Sequence, residues 1–408
     1  MLTSVFTPLS ASGNAFVGEA YESLTRQSVP WEWVLLPNNG GKVPDDVARD
    51  KRVRVLTHYG ESGIGMLKAR TARAGRGDVL LELDHDDVLR DDALLRVAEA
   101  IEGGADFVYS DFCQFLEGSM KPKIFGSQYG WRSYGVKFRG RELVAMTAPE
   151  ATAQALRKIE WSPNHVRAWK REAYEEVGGH DPLLEVADDH DLVLRTFLAK
   201  KRMVHVPECL YFYRVHPAQT TADATNAQKK DWRLYERYID RLALRFAEES
   251  RLRAVDLCAG DTREPPYEPF DIALGHDLDR PWPMADSSVG VIRATDAIEH
   301  LKDPVHTMNE AYRVLAPGGF FLSATPSTDG RGAFQDPTHV SFWNENSFFY
   351  YTDRRFARFV PRITCRFQVS SLSTFFPSKW HEEHHAPYVG AHLIALKDGY
   401  HPMGEVHI

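Results

Sequence analysis

The residues best suited to chemistry in the first half of the chain are two groups of acids and one histidine. The run LLELDHDD sets Asp84, Asp86 and Asp87 directly after an apolar stretch. Residues two apart in an extended segment project to the same side, so Asp84 and Asp86 converge on one ligand. Carboxylates this close repel unless a cation neutralises them. A hard divalent ion does so and still takes phosphate oxygens. The same spacing also suits a polar turn in which Asp91 or a neighbour caps the next helix. A second group, Asp188, Asp189 and Asp191 in EVADDHDLVLRTFL, opens a predicted helix. Acids there favourably meet the helix dipole, and one of them is equally placed to act as a general base. His216 follows the aromatic run ECLYFYRV.

The second half carries a different pattern. RAVDLCAGD brings an apolar strand to Gly260, and glycine after a first strand lets backbone approach a bound cofactor. Asp336 and His339, in QDPTH, suit an acid/base pair, or a local turn with a capping Asp. Six of the seventeen histidines follow residue 380. They begin with WHEEHH, lack paired zinc spacing, and read better as a solvated loop than as a metal site.

The elements that must position these groups form two strand-and-helix alternations. The first has strands at Ser4–Thr7, Trp31–Leu36, Val53–Thr57 and Asp78–Leu83, with helices near Glu19–Gln27, Met66–Ala74 and Asp91–Glu102. Such alternation predicts a mainly parallel α/β sheet. Over residues 222–252, Leu234, Tyr238, Leu242 and Phe246 recur at i, i+4 and predict an amphipathic helix joining two domains. The second alternation runs from Arg253–Gly260 through GVIRAT, a helix at Val305–Leu315, an APGG turn and the strand Phe320–Thr325. Residues 112–170 interrupt the first with Phe125, Tyr129, Trp131, Tyr134, Trp161 and Trp169, which either stack on a ring-shaped ligand or pack as core and lid.

Composition narrows the classes. The 408 residues predict two to three domains. With 49 Lys+Arg against 57 Asp+Glu the net charge is −8, which argues against broad capture of nucleic acid or an anionic membrane. No run reaches the ~18 apolar residues of a membrane span. Four scattered cysteines and an N-terminus without signal-peptide character predict a cytoplasmic protein.

The order of pieces VFTPLS, YESLTRQSVPWEWVLL, KARTARAGRGDVLLELDHDDVL, VGGHDPLLEVADDHDLVLR and YRVHPAQTT resembles the family 2 glycosyltransferases of the GT-A fold over about residues 1–221. The resemblance implies metal-dependent transfer of a sugar, with inversion, from a nucleotide-sugar to an acceptor hydroxyl on a glycan, glycoconjugate or protein. By the same resemblance, Asp189 is the base, with Asp188 standing in for Glu in the family's Glu-Asp-x-Asp pattern. Asp86 and His216 hold a divalent ion (Mn or Mg), and Thr7, Pro8, Asn38, Arg70 and Asp84 bind the donor. Asn38 stands where the family commonly has Asp. Its carbonyl accepts from a uracil N–H while its amide also donates, so a UDP-sugar is the favoured donor.

Residues 253 to about 395 resemble class I S-adenosylmethionine-dependent methyltransferases through AVDLCAGD, HDLDRPWPMADSSVGVIRATDAIEHLKDP, NEAYRVLAPGGFFLSATPS and AFQDPTHVSFW. The implied cofactor residues are Asp256 and Gly260 at the methionine end, Asp271 at the ribose, and Asp277 and Leu278 flanking adenine. Asp336 and His339 fall on the methyl-acceptor side. Cys258 and Thr262 replace family glycines, and three prolines in TREPPYEPFD exclude a normal first helix. Two readings therefore stand: a domain that methylates the sugar or acceptor, and one that keeps the fold without catalysis. A non-catalytic protein that binds nucleotide-sugars or glycans is the third alternative. The expected architecture is α/β: a GT-A nucleotide-sugar-binding domain (1–221), a helical linker (222–252) and a reduced Rossmann-like methyltransferase domain (253–408).

Overall fold

The computed structural model describes residues 1–117, 124, 132–157, 163–217, 224–260, 264–400 and 402, with only the backbone given for 224–233. The chain divides into two compact units, Met1–Ala151 with Ile159–Tyr238, and Thr152–Lys158 with Ile239–Ile408.

The first unit is built on ten strands among the described residues. They are β1 (Thr3–Leu9), β2 (Trp31–Pro37), β3 (Val53–Val55), β4 (Val79–Glu82), β5 (Val88–Leu89), β6 (Phe107–Leu116), β7 (Arg132–Phe138), β8 (Arg141–Thr147), β9 (Arg167–Lys170) and β10 (Met203–Val215). Their order is β3-β2-β1-β4-β9-β6-β10-β5, with β8 also paired to β6 and β7 to β8. The β3-β2-β1-β4 part is parallel. Strand β9 then runs antiparallel between β4 and β6, and β6 and β10 are parallel. The central strands TSVFTPL and VLLE are buried along their whole length. Strands covered on both faces read as continuous apolar runs for this reason.

The strand order reverses at β1, which has β2 on one side and β4 on the other. Ligands of open α/β sheets bind outside the carboxyl ends of strands at such a switch point. The loops after Leu9 and Glu82 both lie there, so the topology brings the acidic run to the expected crevice. Helix Ile64–Ala74 packs on β1 and β2. Helix Asp188–Leu198 begins at the second acidic group.

In the second unit, β11 (Arg253–Leu257), β12 (Glu268–Phe270), β13 (Val289–Thr295), β14 (Leu315–Pro326), β15 (Phe367–Phe375) and β16 (Tyr388–Ala395) form a sheet ordered β12-β11-β13-β14-β16-β15. The first four are parallel, and the last two are antiparallel. Among the described residues between β11 and β12 there is no helix, as the prolines require. The APGG segment differs from the expected turn. It is an irregularity inside β14, where Val289 pairs with Leu315 but Val291 with Phe320, and Gly318 takes the excursion at φ +75. One helix, Ala224–Glu249, spans most of the expected linker. Its Leu234, Tyr238 and Leu242 are buried, as an apolar stripe demands.

Candidate functional site

The acidic turn after β4 is held from two sides. On one side, His85 reaches the loop after β1, with Nδ1 3.1 Å from Pro8 O and Nε2 3.3 Å from Ser12 Oγ. That approach requires Gly13, because a Cβ there would overlap the His85 ring. Thr7 is buried and donates to Leu83 O at 2.6 Å while accepting from the Trp33 indole at 2.9 Å. It ties β1, β2 and β4 together at the floor of the crevice. On the other side, β10 clasps the turn. Tyr211 donates to Asp87 Oδ2 at 2.8 Å, the Arg214 amide donates to Asp87 Oδ1 at 2.7 Å, and Arg214 Nε donates to Asp86 O at 2.8 Å. His216 Nε2 lies 2.8 Å from Asp86 Oδ2.

Three acids that are neighbours in sequence thus have separate environments. Asp87 is buried and fully engaged by the clasp, and burial, with Asp86 and Asp84 adjacent, pushes its carboxyl well above the usual range. Asp86 faces His216. Asp84 is pushed up to about 6 by burial, against the opposing pull of Lys68. One oxygen or nitrogen each from Asp84, Asp87 and His165 lie within 4.8 Å of one another. Burial lowers His165 to about 3, so its ring stays neutral and able to ligate.

A buried network surrounds this turn. Lys68 pairs with Glu82 and lies 3.7 Å from Asp188. Arg167 pairs with Asp189 and lies 3.6 Å from Glu82. Both cations act on Asp84 and Asp189, so the two acidic groups, about a hundred residues apart, share one electrostatic environment. Although burial alone would raise them, Lys68 and Arg167 hold Glu82 down to about 2, and Arg167 and then Lys68 hold Asp189 well below the usual carboxylate range. Asp188 behaves oppositely: burial outweighs Lys68 and lifts it to about 7. Glu82, Asp84, Asp188 and Asp189 set four carboxylates against two cations. With Asp86 and Asp87 beside them the cluster has an excess of acid, which a divalent cation would offset in part. Asp86 and His216 offer a carboxylate in contact with an imidazole, while the three ligand atoms that converge near this turn lie on Asp84, Asp87 and His165.

The remaining expected donor residues are distributed as follows. Asn38 is buried, and its Nδ2 donates to Leu9 O and Leu36 O, both at 3.2 Å. These bonds fix the amide orientation and present Oδ1 as an acceptor. Arg70 is drawn away from the acids: it pairs with Glu61, donates to Thr57 O at 2.6 Å and stacks 4.9 Å from Tyr59. Of the aromatic insertion, Trp169 is fully buried and donates to Thr196 at 3.1 Å, so it is core. Tyr134 donates to Asp111 at 2.9 Å. Phe125, Tyr129, Trp131 and Trp161 lie outside the described residues.

Lys68, Glu82, His165 and Arg167 had no place in the sequence expectations. Two carried a signal. Glu82 interrupts the apolar run DVLLELD in a strand that the order of elements places centrally, where a charge needs a partner. Lys68 shares a helix face with Gly65 and Ala72, a stripe of small buried residues.

In the second unit, the strand order reverses at β11, and the loop beyond it holds Cys258 at φ +56 and Gly260 at φ +61. Nothing stands within 4 Å of the position a Gly260 Cβ would take, and its amide donates to Asp271 Oδ2 at 3.0 Å. Asp271 Oδ1 accepts from Ala273 N at 2.8 Å. Asp256 is committed to Arg293 at 2.7 Å, which also binds Glu264 at 2.6 Å. Asp277 accepts from the Asp279 amide and Arg280. Leu278 is buried, and its carbonyl accepts from the Trp282 indole at 3.0 Å. Asp336 Oδ1 takes the Thr338 amide and hydroxyl, and His339 Nδ1 lies 3.0 Å from Ala333 O. The two share one turn through backbone, His339 N donating to Asp336 O at 3.2 Å. Thr262 lies outside the described residues.

Comparison with known proteins adds the following. Residues 237–323 match the family described as a methyltransferase domain. The chain is similar to the O-antigen biosynthesis protein RfbC of Myxococcus xanthus, 26% identical over 222 residues, covering 52% of this chain and 16% of that protein. It is also similar to an uncharacterized glycosyltransferase of Bacillus subtilis, EpsJ, 25% identical over 231 residues, covering 54% and 63%. It spans less than a quarter of the length of the first curated relatives it matches. Among solved structures, S. aureus TarS 1-349 in complex with UDP-GlcNAc aligns with a TM-score of 0.46 at 14% identity, covering 60% of this chain and 67% of that one. Among the described residues no helix is long and apolar enough to cross a membrane. The chain thus joins a mixed α/β sheet unit, over the part of the chain similar to RfbC and EpsJ, to a second sheet unit, part of which matches the methyltransferase family.

Proposed function

We propose that the first unit moves a sugar from a UDP-sugar to an acceptor hydroxyl on a glycan, glycoconjugate or protein. The observation that carries this reading is the 2.8 Å contact of Asp86 with His216, 130 residues apart, at the switch point of the sheet. Asp86 and His216, beside Asp84, would hold Mn or Mg, which when bound screens the charge of a departing diphosphate. Thr7 and Pro8 floor the donor crevice, and Asn38 Oδ1 accepts from the base. Asp189, its side chain 26% exposed, is the acid an acceptor reaches, whereas Asp188 is closed off at 4%. Arg167 keeps Asp189 ionised and aimed; because the same pairing opposes protonation, it must loosen as Asp189 accepts a proton from the acceptor hydroxyl while the sugar is inverted. Arg70 orders the loop carrying Tyr59. Transfer assays over a panel of nucleotide-sugars with Mn²⁺ test this. Asp86→Ala and Asp189→Asn should each abolish transfer, and full activity in either would refute the assigned role.

The second unit, in this proposal, binds S-adenosylmethionine at the β11–β13 crevice and methylates the transferred sugar or the same acceptor. Gly260 and Asp271 fit the cofactor: backbone is open at the first and a carboxylate is held beside it. Asp277 and Leu278 would flank the adenine. Asp256 is drawn to Arg293, and that specific pairing favours a second reading in which the domain keeps its fold without the cofactor. Calorimetry with S-adenosylmethionine separates the two. The domain limits we adopt are 1–221, 222–252 and 253–408. The four free thiols support a cytoplasmic setting.

A further inference from the structure

We propose that Glu299, His300 and His339 form a second metal site, selective for a borderline transition ion of the Zn²⁺ class and separate from the carboxylate site of the first unit. One carboxylate oxygen and one ring nitrogen from each histidine lie within 4.8 Å of one another. Glu299 is 2% exposed. Its Oε2 accepts from Thr325 at 2.5 Å, while Oε1, equally buried, has no hydrogen-bond partner. A buried carboxylate oxygen left without a donor is costly, and a cation satisfies it. The histidines are already arranged as metal ligands usually are, with the second ring nitrogen fixed by a carbonyl. His300 Nδ1 lies 3.2 Å from Thr338 O, and His339 Nδ1 lies 3.0 Å from Ala333 O. That leaves Nε2 on each ring to ligate.

The backbone around the cluster is locked. Val340 N and Ser341 N both donate to Glu299 O, at 2.8 and 3.0 Å, and Ser341 Oγ donates to Ile298 O at 2.8 Å. These bonds clamp the segment carrying His339 onto the turn carrying Glu299 and His300, so the three ligands come from two pieces of chain held in fixed register. Two imidazoles and one carboxylate suit Zn²⁺ better than Mg²⁺, and three protein ligands leave a position open. Both histidines are half-buried, so that position faces solvent. The turn Ile298–His300 follows β13, and the loop after β11 touches it through Cys258 Sγ, 3.7 Å from Ala297 O. The cluster therefore lies beyond the carboxyl end of β13, at the same end of the sheet as the crevice assigned to the cofactor. On the methyl-transfer reading, and only on it, the ion would hold an acceptor oxygen there.

The test is calorimetric titration of the chelator-stripped full chain with ZnSO4 in saturating Mg²⁺; Zn²⁺ can displace Mg²⁺ from the Asp86–His216 pair, so the site is scored as the one Zn²⁺ that survives Asp86→Ala. Glu299→Gln keeps the size and the Thr325 bond, and His339→Ala removes a half-buried ring. Each should weaken that Zn²⁺ at least about 100-fold with unchanged circular dichroism, while Asp86→Ala leaves it unaltered. No Zn²⁺ bound by the native chain, or unchanged affinity in both variants, overturns the site. Titration with S-adenosylmethionine is scored separately: its failure overturns the acceptor-holding role and leaves the zinc result to stand or fall by itself.

Discussion

Replacing Lys68 with methionine is the sharpest probe of the buried charge network. The substitution keeps length and apolar volume but removes the cation paired with Glu82 and 3.7 Å from Asp188. At that separation and an effective dielectric near 20, one such attraction is worth about 4 kcal/mol. Relief of the ammonium's own desolvation offsets part of this loss. The stranded carboxylates dominate, and breaking a buried pair by removing one partner costs about 3–5 kcal/mol. In a unit of this size that lowers the midpoint of thermal unfolding by roughly 6–20 °C. The pH dependence carries the sign. Asp188 stands at about 7 because burial outweighs Lys68, and losing Lys68 raises it further. A carboxyl raised in the folded state binds its proton more tightly there than in the unfolded chain, so its penalty grows as pH rises towards the folded value and then saturates. Urea unfolding followed by tryptophan fluorescence should show a larger cost at pH 8 than at pH 5. Adding Glu82→Gln should recover part of it, a coupling of about 0.5–3 kcal/mol. A cost below about 1 kcal/mol, or one equal at both pH values, would refute the electrostatic account.

Mn²⁺ affinity of the first unit should climb between pH 5 and 7, because Asp84, at about 6, carries its full negative charge beside the ion only above that pH; a flat profile by titration calorimetry would argue against Asp84 beside the ion. Asn38→Ala should weaken UDP by about tenfold, one hydrogen bond's worth, with little effect on ADP, and equal losses for both in competition assays would remove Asn38 from base recognition. Gly13→Ala forces a Cβ into the His85 ring, so a loss of about 1–3 kcal/mol together with weakened Mn²⁺ binding is expected; an unchanged melting curve would mean that the ring does not sit against Gly13.

The sequence made the crevice legible because its floor is written in runs. VFTPL, WEWVLL and VLLEL announce buried parallel strands, and an acid cluster after the last of them has few other places to go. The partners of that cluster were hidden for a physical reason. Strand β9 enters the sheet antiparallel between β4 and β6, and nothing local in RAWK signals that insertion, yet it delivers Arg167 to Asp189. Arg70 enters by the family resemblance, whereas Lys68, two residues earlier, carries no such mark, and a charged residue on a helix is ordinarily solvated. The helix phase reverses this expectation, burying Lys68 and sending Arg70 to Glu61. In the second half, QDPTH is legible as a turn and EHL only as part of the methyltransferase resemblance, but their meeting depends on backbone bonds between Glu299 and residues 340–341 that no pattern encodes.

The clasp that β10 places on the acidic turn also bears on the timing of assembly. Asp87 and Tyr211 are 124 residues apart, and Asp86 and His216 are 130 apart. At ribosomal rates of about 5–20 residues per second, a growing chain exposes the acids on the order of 10 s before the residues that clasp them are made. During that interval the nascent protein has the floor of the proposed donor crevice but cannot assemble the imidazole–carboxylate pair. Contacts of such long range form late in folding because loop closure opposes them. On the proposed function, competence to bind the ion would report that the last strand of the first sheet has docked, and recovery of Mn²⁺ binding during refolding would time that event.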